Sequence, residues 1–139
     1  LETMKMAAKE SIPLQLHVEG ESDETYPDLA VMADKAGLDR KKLVRHYAPA
    51  RVDHSYTLGI TPSVLAGSGS IDQLMQTFEQ SSNGFMLETD YMDDPKRPGA
   101  VLGPKTVPKR TKQLLAAGLD EEVLYHTHVD LPEQIYGSI

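Results

Sequence analysis

"GFMLETDYMDDPKRPG", residues 84–99, runs an uninterrupted apolar stretch, Phe85-Met86-Leu87, straight into Glu88, Asp90, Asp93 and Asp94. A short apolar run of this kind is the mark of a central strand covered on both faces. Where such a strand ends in carboxylates and then a turn rich in proline and glycine, its C-terminal end opens into a polar site. Acids placed there either bind something or are solvated.

The pattern repeats on the N-terminal side of this stretch. "ETMKMAAKES" (2–11) sets Met4, Ala7 and Ala8 on one helical face and stops before Pro13; "PLQLHV" (13–18) then alternates as a strand. "YPDLAVMADKAG" (26–37) reads as a helix with Pro27 in its first turn and Gly37 at its C-terminal cap. "KKLVRHYA" (41–48) and "SYTLGIT" (55–61) are the next strands. "SIDQLMQTFEQS" (70–81) is a helix with Ser70 as its N-cap and Ile71, Leu74, Met75 and Phe78 as its buried stripe. "NGFMLETDYM" (83–92) is the fourth strand. Beyond the loop 93–106, residues 107–118 and 120–129 read as helices, the second capped by Asp120, and "DLPEQIYGSI" is expected to pack as a C-terminal tail.

Strands alternating with helices make an α/β fold with a parallel sheet, whose ligands collect at the strands' C-terminal ends. Four such strands are half of an eight-stranded TIM barrel, and a complete barrel takes about 250 residues. The 139 residues are therefore expected to be a single domain, 1–139, that is the piece of something longer. A chain that starts with Leu1 and opens directly in a helix agrees with that expectation.

Composition narrows the chemistry. Without cysteine there is neither a disulfide framework nor a thiolate nucleophile, so any metal must use His, Asp or Glu. No apolar run approaches the roughly 20 residues of a membrane helix, so a cytoplasmic protein with no membrane partner is expected. A net charge of −7 argues against nucleic-acid binding through the whole surface, yet six of the fourteen basic residues (Lys96, Arg97, Lys105, Lys109, Arg110, Lys112) fall between 96 and 112. That segment could face an anion, or be a solvated helix face. No aromatic residue interleaves these cations and tryptophan is absent, which disfavours a single-strand nucleic-acid binder.

Three strands end in potential metal ligands: His17, His46 and Asp90. Each stands where apolar strand becomes polar loop, so a barrel brings all three to one rim. Two imidazoles and a carboxylate suit a divalent ion, which lowers the pKa of a water it binds. The competing reading makes each a hydrogen-bonded rim residue. His54, His126 and His128 are read as structural, and Asp93 and Asp94 as loop-capping or solvated acids.

"FMLETDYMDDPKRPGAVLGPKTVPKRTKQLL" resembles the TatD-related metal-dependent hydrolases, a branch of the amidohydrolase superfamily of TIM barrels, and its longer form is similar to the archaeal-type members. "PLQLHV", "LVRHYAP", "TLGITPS" and "DLPEQIYG" resemble that family's fifth, sixth and seventh strands and its closing motif. The resemblance implies that this chain is strands five to eight of the barrel with its C-terminal helices. It further implies that His17 and His46 bind metal, one or two ions of zinc, manganese or magnesium per complete site, and that Asp90 binds or faces metal and acts as general base. Glu88 shares Asp90's face one layer deeper, which suits a buried supporting role. The family's first-strand His-x-His pair and first-half carboxylate have no counterpart; His126-Thr127-His128 has the same form, but on a helix i and i+2 point apart.

The function expected on this basis is hydrolysis of a phosphoester, in DNA or a small phosphorylated molecule, with Arg97 and Lys105 as substrate-holding candidates. The alternatives are an amide or lactone hydrolase or deaminase on the same site, or a non-catalytic half-barrel scaffold. Expected partners are the remaining half-barrel or a second copy of the chain.

Overall fold

The computed structural model describes residues 1–67, 69–92, 96 and 102–137. Helix α1 (Glu2–Lys9) leads into β1 (Leu14–His17), followed by α2 (Thr25–Ala36), β2 (Leu43–Ala48), the single-turn α3 (His54–Thr57), β3 (Thr61–Leu65), α4 (Ile71–Gln80) and β4 (Met86–Glu88). The C-terminal part is helical: α5 (Thr106–Ala116), α6 (Glu121–Tyr125), a wide π turn over His126–Asp130 and α7 (Leu131–Tyr136). Local chemistry fixes several boundaries. Gly37 closes α2 in the left-handed region at φ 72°. Ser70 and Gln73 form a reciprocal capping box at the start of α4, and the Asp120 carboxylate accepts from the Glu122 N–H at 2.8 Å.

The sheet is parallel, in the order β1-β2-β3-β4. An α/β chain with four parallel strands in sequence order is consistent with part of a barrel. The period of two sorts each strand's side chains onto opposite faces. One face turns Leu14, Leu16 and Leu43 toward α1 and α2, where they pack with Met4, Tyr26, Leu29 and Ala33. The same face turns Val64, Phe85 and Leu87 toward Phe78, Leu114 and Leu124 of α4, α5 and α6. Phe78 and Phe85 meet with ring centroids 4.5 Å apart. The other face carries His17, His46 and Glu88 near the strands' C-terminal ends. Toward their N-terminal ends, Val44 and Met86 on this face are sealed by Leu131 and Ile135 of α7.

Two expectations are corrected. The strand expected over 55–61 does not form there; of those residues only Thr61 lies in a strand. The Asp53 carboxylate accepts from the Tyr56 N–H at 3.0 Å and starts a helical turn, which Leu58 (φ 53°) and Gly59 (φ 87°) end in the left-handed region. The third strand is Thr61–Leu65, with Pro62 inside it. The C-terminal "tail" is α7, continued from α6 through the π turn with Pro132 in its first turn. Among the described residues no helix is long and apolar enough to cross a membrane.

Gly84 sits at φ 76°, and a Cβ there would lie 2.8 Å from His126 Nε2. Gly84→Ala is expected to cost at least about 1–2 kcal/mol through the backbone alone, read as a lower urea midpoint. Adding His126→Ala should recover only the steric part, and an unchanged midpoint for Gly84→Ala would refute this. His128 is held below its ordinary pKa by burial, with Thr111 Oγ1 2.9 Å from its Nε2. The unfolded imidazole therefore takes up its proton first, and stability falls as pH drops through the unfolded value of about 6.5. In His128→Asn the loss of stability between about pH 7.5 and 5.5 should shrink; an equal loss in both proteins would assign it elsewhere.

Candidate functional site at the strand ends

The ladder between β1 and β2 pairs His17 with His46 directly, with their rings at a centroid separation of 5.6 Å. Between β2 and β3 the register slips. Arg45 pairs with Pro62 and Ala48 with Val64, so three steps on β2 match two on β3. This is a β-bulge at His46-Tyr47, and bulges re-aim side chains. Tyr47 adopts φ 56° within it, a left-handed conformation uncommon for a bulky residue.

The extra residue leaves peptide groups without ladder partners, and charged side chains from both faces of the sheet supply them. Tyr47 N–H donates to Glu88 Oε1 at 2.9 Å. On the opposite face, Arg45 Nη1 donates to the carbonyls of His46 and Tyr47, the latter at 3.1 Å. Arg45 is 3% exposed and is paired with Glu21 at 2.8 Å, and Glu21 in turn accepts from the Tyr56 hydroxyl at 2.8 Å.

Glu88 is the hub of the inner face, with a side chain 13% exposed. Besides Tyr47, it accepts from the Ser63 hydroxyl. It also meets His46 Nδ1 at 2.8 Å through Oε1 and 2.9 Å through Oε2. A ring nitrogen that donates to a carboxylate fixes the tautomer and orientation of the imidazole. The other nitrogen, Nε2, is then aimed outward at Asp90 Oδ1, 3.2 Å away. Asp90 is brought there by a left-handed residue of its own, φ 51°, a conformation aspartate tolerates better than most. Next to it along the chain, the Thr89 carbonyl accepts from the Leu102 N–H at 3.2 Å.

The expected residues are thus partly assembled. His46, Asp90 and the supporting Glu88 meet; His17 stands beside His46. Among the described residues no group of three or more His, Cys, Asp or Glu side chains is gathered closely enough to hold a metal ion. Lys105 is exposed and precedes α5, whereas Arg97, Asp93 and Asp94 lie outside the described residues. The other histidines have partners of their own: His54 with Asn83 at 2.5 Å, His126 with Asp130 at 3.5 Å, and His128 with Thr111. Ser63, Tyr47 and Arg45 were not singled out from sequence. Only the parity of Arg45 against His46, an arginine on the buried face of an apolar strand, could have flagged one of them.

Residues 1–137 match the family described as TatD related DNase. The chain is 37% identical over 134 residues to the uncharacterized protein MJ1127 of Methanocaldococcus jannaschii, an overlap covering 96% of this chain and 46% of that protein. It therefore spans about half the length of this relative. No solved structure matches the chain.

Removing the hub should unfasten the bulge. Glu88→Ala leaves the Ser63 hydroxyl and the Tyr47 N–H without their acceptor and is expected to lower unfolding stability by about 1–3 kcal/mol. Ser63→Ala should cost less, and the two losses should be non-additive in a double-mutant cycle. Full stability in Glu88→Ala would show that the hub does not support the bulge.

Proposed function

The chain belongs to the TatD related DNase family, and on that footing we propose that the protein it forms part of is a metal-dependent hydrolase of a phosphoester, in DNA or in a small phosphorylated molecule. The observation that carries this reading is the pairing at His46. With Nδ1 donating to Glu88, Nε2 faces the Asp90 carboxylate at 3.2 Å, and imidazole and carboxylate are both donors that divalent ions take.

The donor set fits a divalent ion in part: His17, His46 and Asp90 line one side of a site that needs further ligands. Those would come from outside the described residues, for example from the rest of a longer chain or from a second copy. When bound, zinc, manganese or magnesium would supply Lewis acidity toward a phosphoester oxygen and acidify water. The chain's own residues then have distinct tasks. His17 and His46 hold the ion, and Glu88 keeps His46 in the tautomer that leaves Nε2 free. Asp90 accepts the proton of the attacking water. Lys105, with Arg97, holds the anionic substrate.

The test is metal content of the intact protein and its Asp90→Asn variant by mass spectrometry, followed by a phosphodiester screen. Stoichiometric metal, partly lost in the variant together with about 10²–10⁴-fold of the turnover, is the expected result. Metal with turnover of amides or lactones in place of phosphodiesters would reassign the substrate. Absence of both metal and hydrolysis would leave a non-catalytic scaffold.

A further inference from the structure

Tyr47 is held in an unusual backbone conformation that its supporting contacts do not require a tyrosine to make. Its N–H is fixed by Glu88 and its carbonyl by Arg45, both main-chain bonds available to any residue. The side chain is 48% exposed. Its ring lies edge-on to both site histidines, with centroids 6.0 Å from His17 and 6.2 Å from His46. A left-handed bulge residue tied down on both sides is strain that its surroundings over-determine, which is typical of a functional position. What this conformation achieves is to stand a phenol ring at the rim of the site, largely open to solvent.

From this placement we infer that Tyr47 is a stacking platform for a nucleobase adjoining the phosphate that is cut, an inference that rests on the phosphoester reading above. A cavity of about 350 Å³ opens beside the ring, lined also by Val18, Glu19, Glu21, Arg45 and Pro49, and falls within the size range of small-ligand sites. Of its charged groups, Arg45 and Glu21 are paired with each other at 2.8 Å, which leaves the Glu19 carboxylate, and carboxylates accept hydrogen bonds from exocyclic amino groups of bases. Glu21 is already engaged by Arg45 and Tyr56, which leaves Glu19 as the acceptor for a base in this cavity. The sequence offered no aromatic group among its basic residues; the bulge brings one to the site from a different strand end.

The experiment measures binding, independent of turnover, in the intact protein carrying Asp90→Asn. The probes are a fluorescently labelled single-stranded tetranucleotide and the same sugar–phosphate backbone with every base replaced by an abasic tetrahydrofuran. With Tyr47 present, the base-bearing strand should bind about tenfold more tightly than the abasic one. Tyr47→Ala should abolish that preference while binding the abasic strand as before, and Tyr47→Phe, which keeps the ring, should restore it. Equal weakening of both probes by Tyr47→Ala would mean that the residue only frames the Glu88 bond. Loss of the preference in Tyr47→Phe would move the contact to the hydroxyl. Either result, or no binding of any strand, overturns the platform. A base preference confirmed in a protein whose unsubstituted form cleaves no phosphodiester would keep the platform and overturn the hydrolase reading instead.

Discussion

One residue too many on β2 organises this end of the molecule. A parallel ladder offers every peptide group a neighbour, and the extra residue at His46-Tyr47 takes that neighbour away, so buried or half-buried amide groups must find partners elsewhere. Glu88 answers from one face and Arg45 from the other. Both are charged groups hydrogen-bonding to backbone, roughly twice as strong as neutral bonds, and both are themselves compensated, Glu88 by His46 and Arg45 by Glu21. The arrangement is not free of cost, since Arg45 Nε is buried without a hydrogen-bond partner among the described residues. It nevertheless fixes His46 and Tyr47 from both sides of the sheet, and the positions of the site's side chains follow.

The rest of the packing leaves this end polar and the opposite end closed. Two apolar clusters fasten the helices to the outer face, one around Tyr26, Leu29 and Leu43 and the other around Phe78, Phe85 and Leu114. On the inner face the apolar layer is confined to Val44 and Met86, capped by Leu131 and Ile135. The alternation that puts Phe85 and Leu87 among helices necessarily points Met86 and Glu88 the other way. Apolar run and acidic end in "FMLETD" are therefore two halves of one geometric fact: the same strand packs a core with odd residues and furnishes a site with even ones.

Much of this was legible in the sequence, and the failures have physical causes. The helix at residues 70–81 declared itself through Ser70 and its apolar stripe, and β1 ends at His17 as expected, whereas β2 runs past His46 to Ala48 and β4 stops at Glu88, two residues before Asp90. The third strand was misplaced because Tyr56, Leu58 and Ile60 alternate convincingly, while the determinant was a single side-chain-to-backbone bond from Asp53. The wide turn at His126–Asp130 carries the helix expected over 120–129 on into residues read as a tail, and no residue type announces it. The bulge was invisible for a deeper reason. It is a relation between two strands, set by how β2 counts against β3, and nothing within "LVRHYA" alone records that count. Ser63 and Tyr47 acquire their partners only through that relation.

The strand order has a consequence for how such a chain is made. Because Leu14 pairs with Leu43, and Ser63 with Met86, each ladder closes only one strand–helix unit, and the entropy of closing a loop grows slowly with its length. Each unit can thus dock on the one synthesised just before it, without waiting for a distant segment to emerge, as fits the tendency of chains to fold in order of synthesis. The two outermost strands, β1 and β4, each pair with one neighbour among the described residues. They are the natural splice points of the architecture, where units can be appended or exchanged by recombination while the pairing inside remains intact.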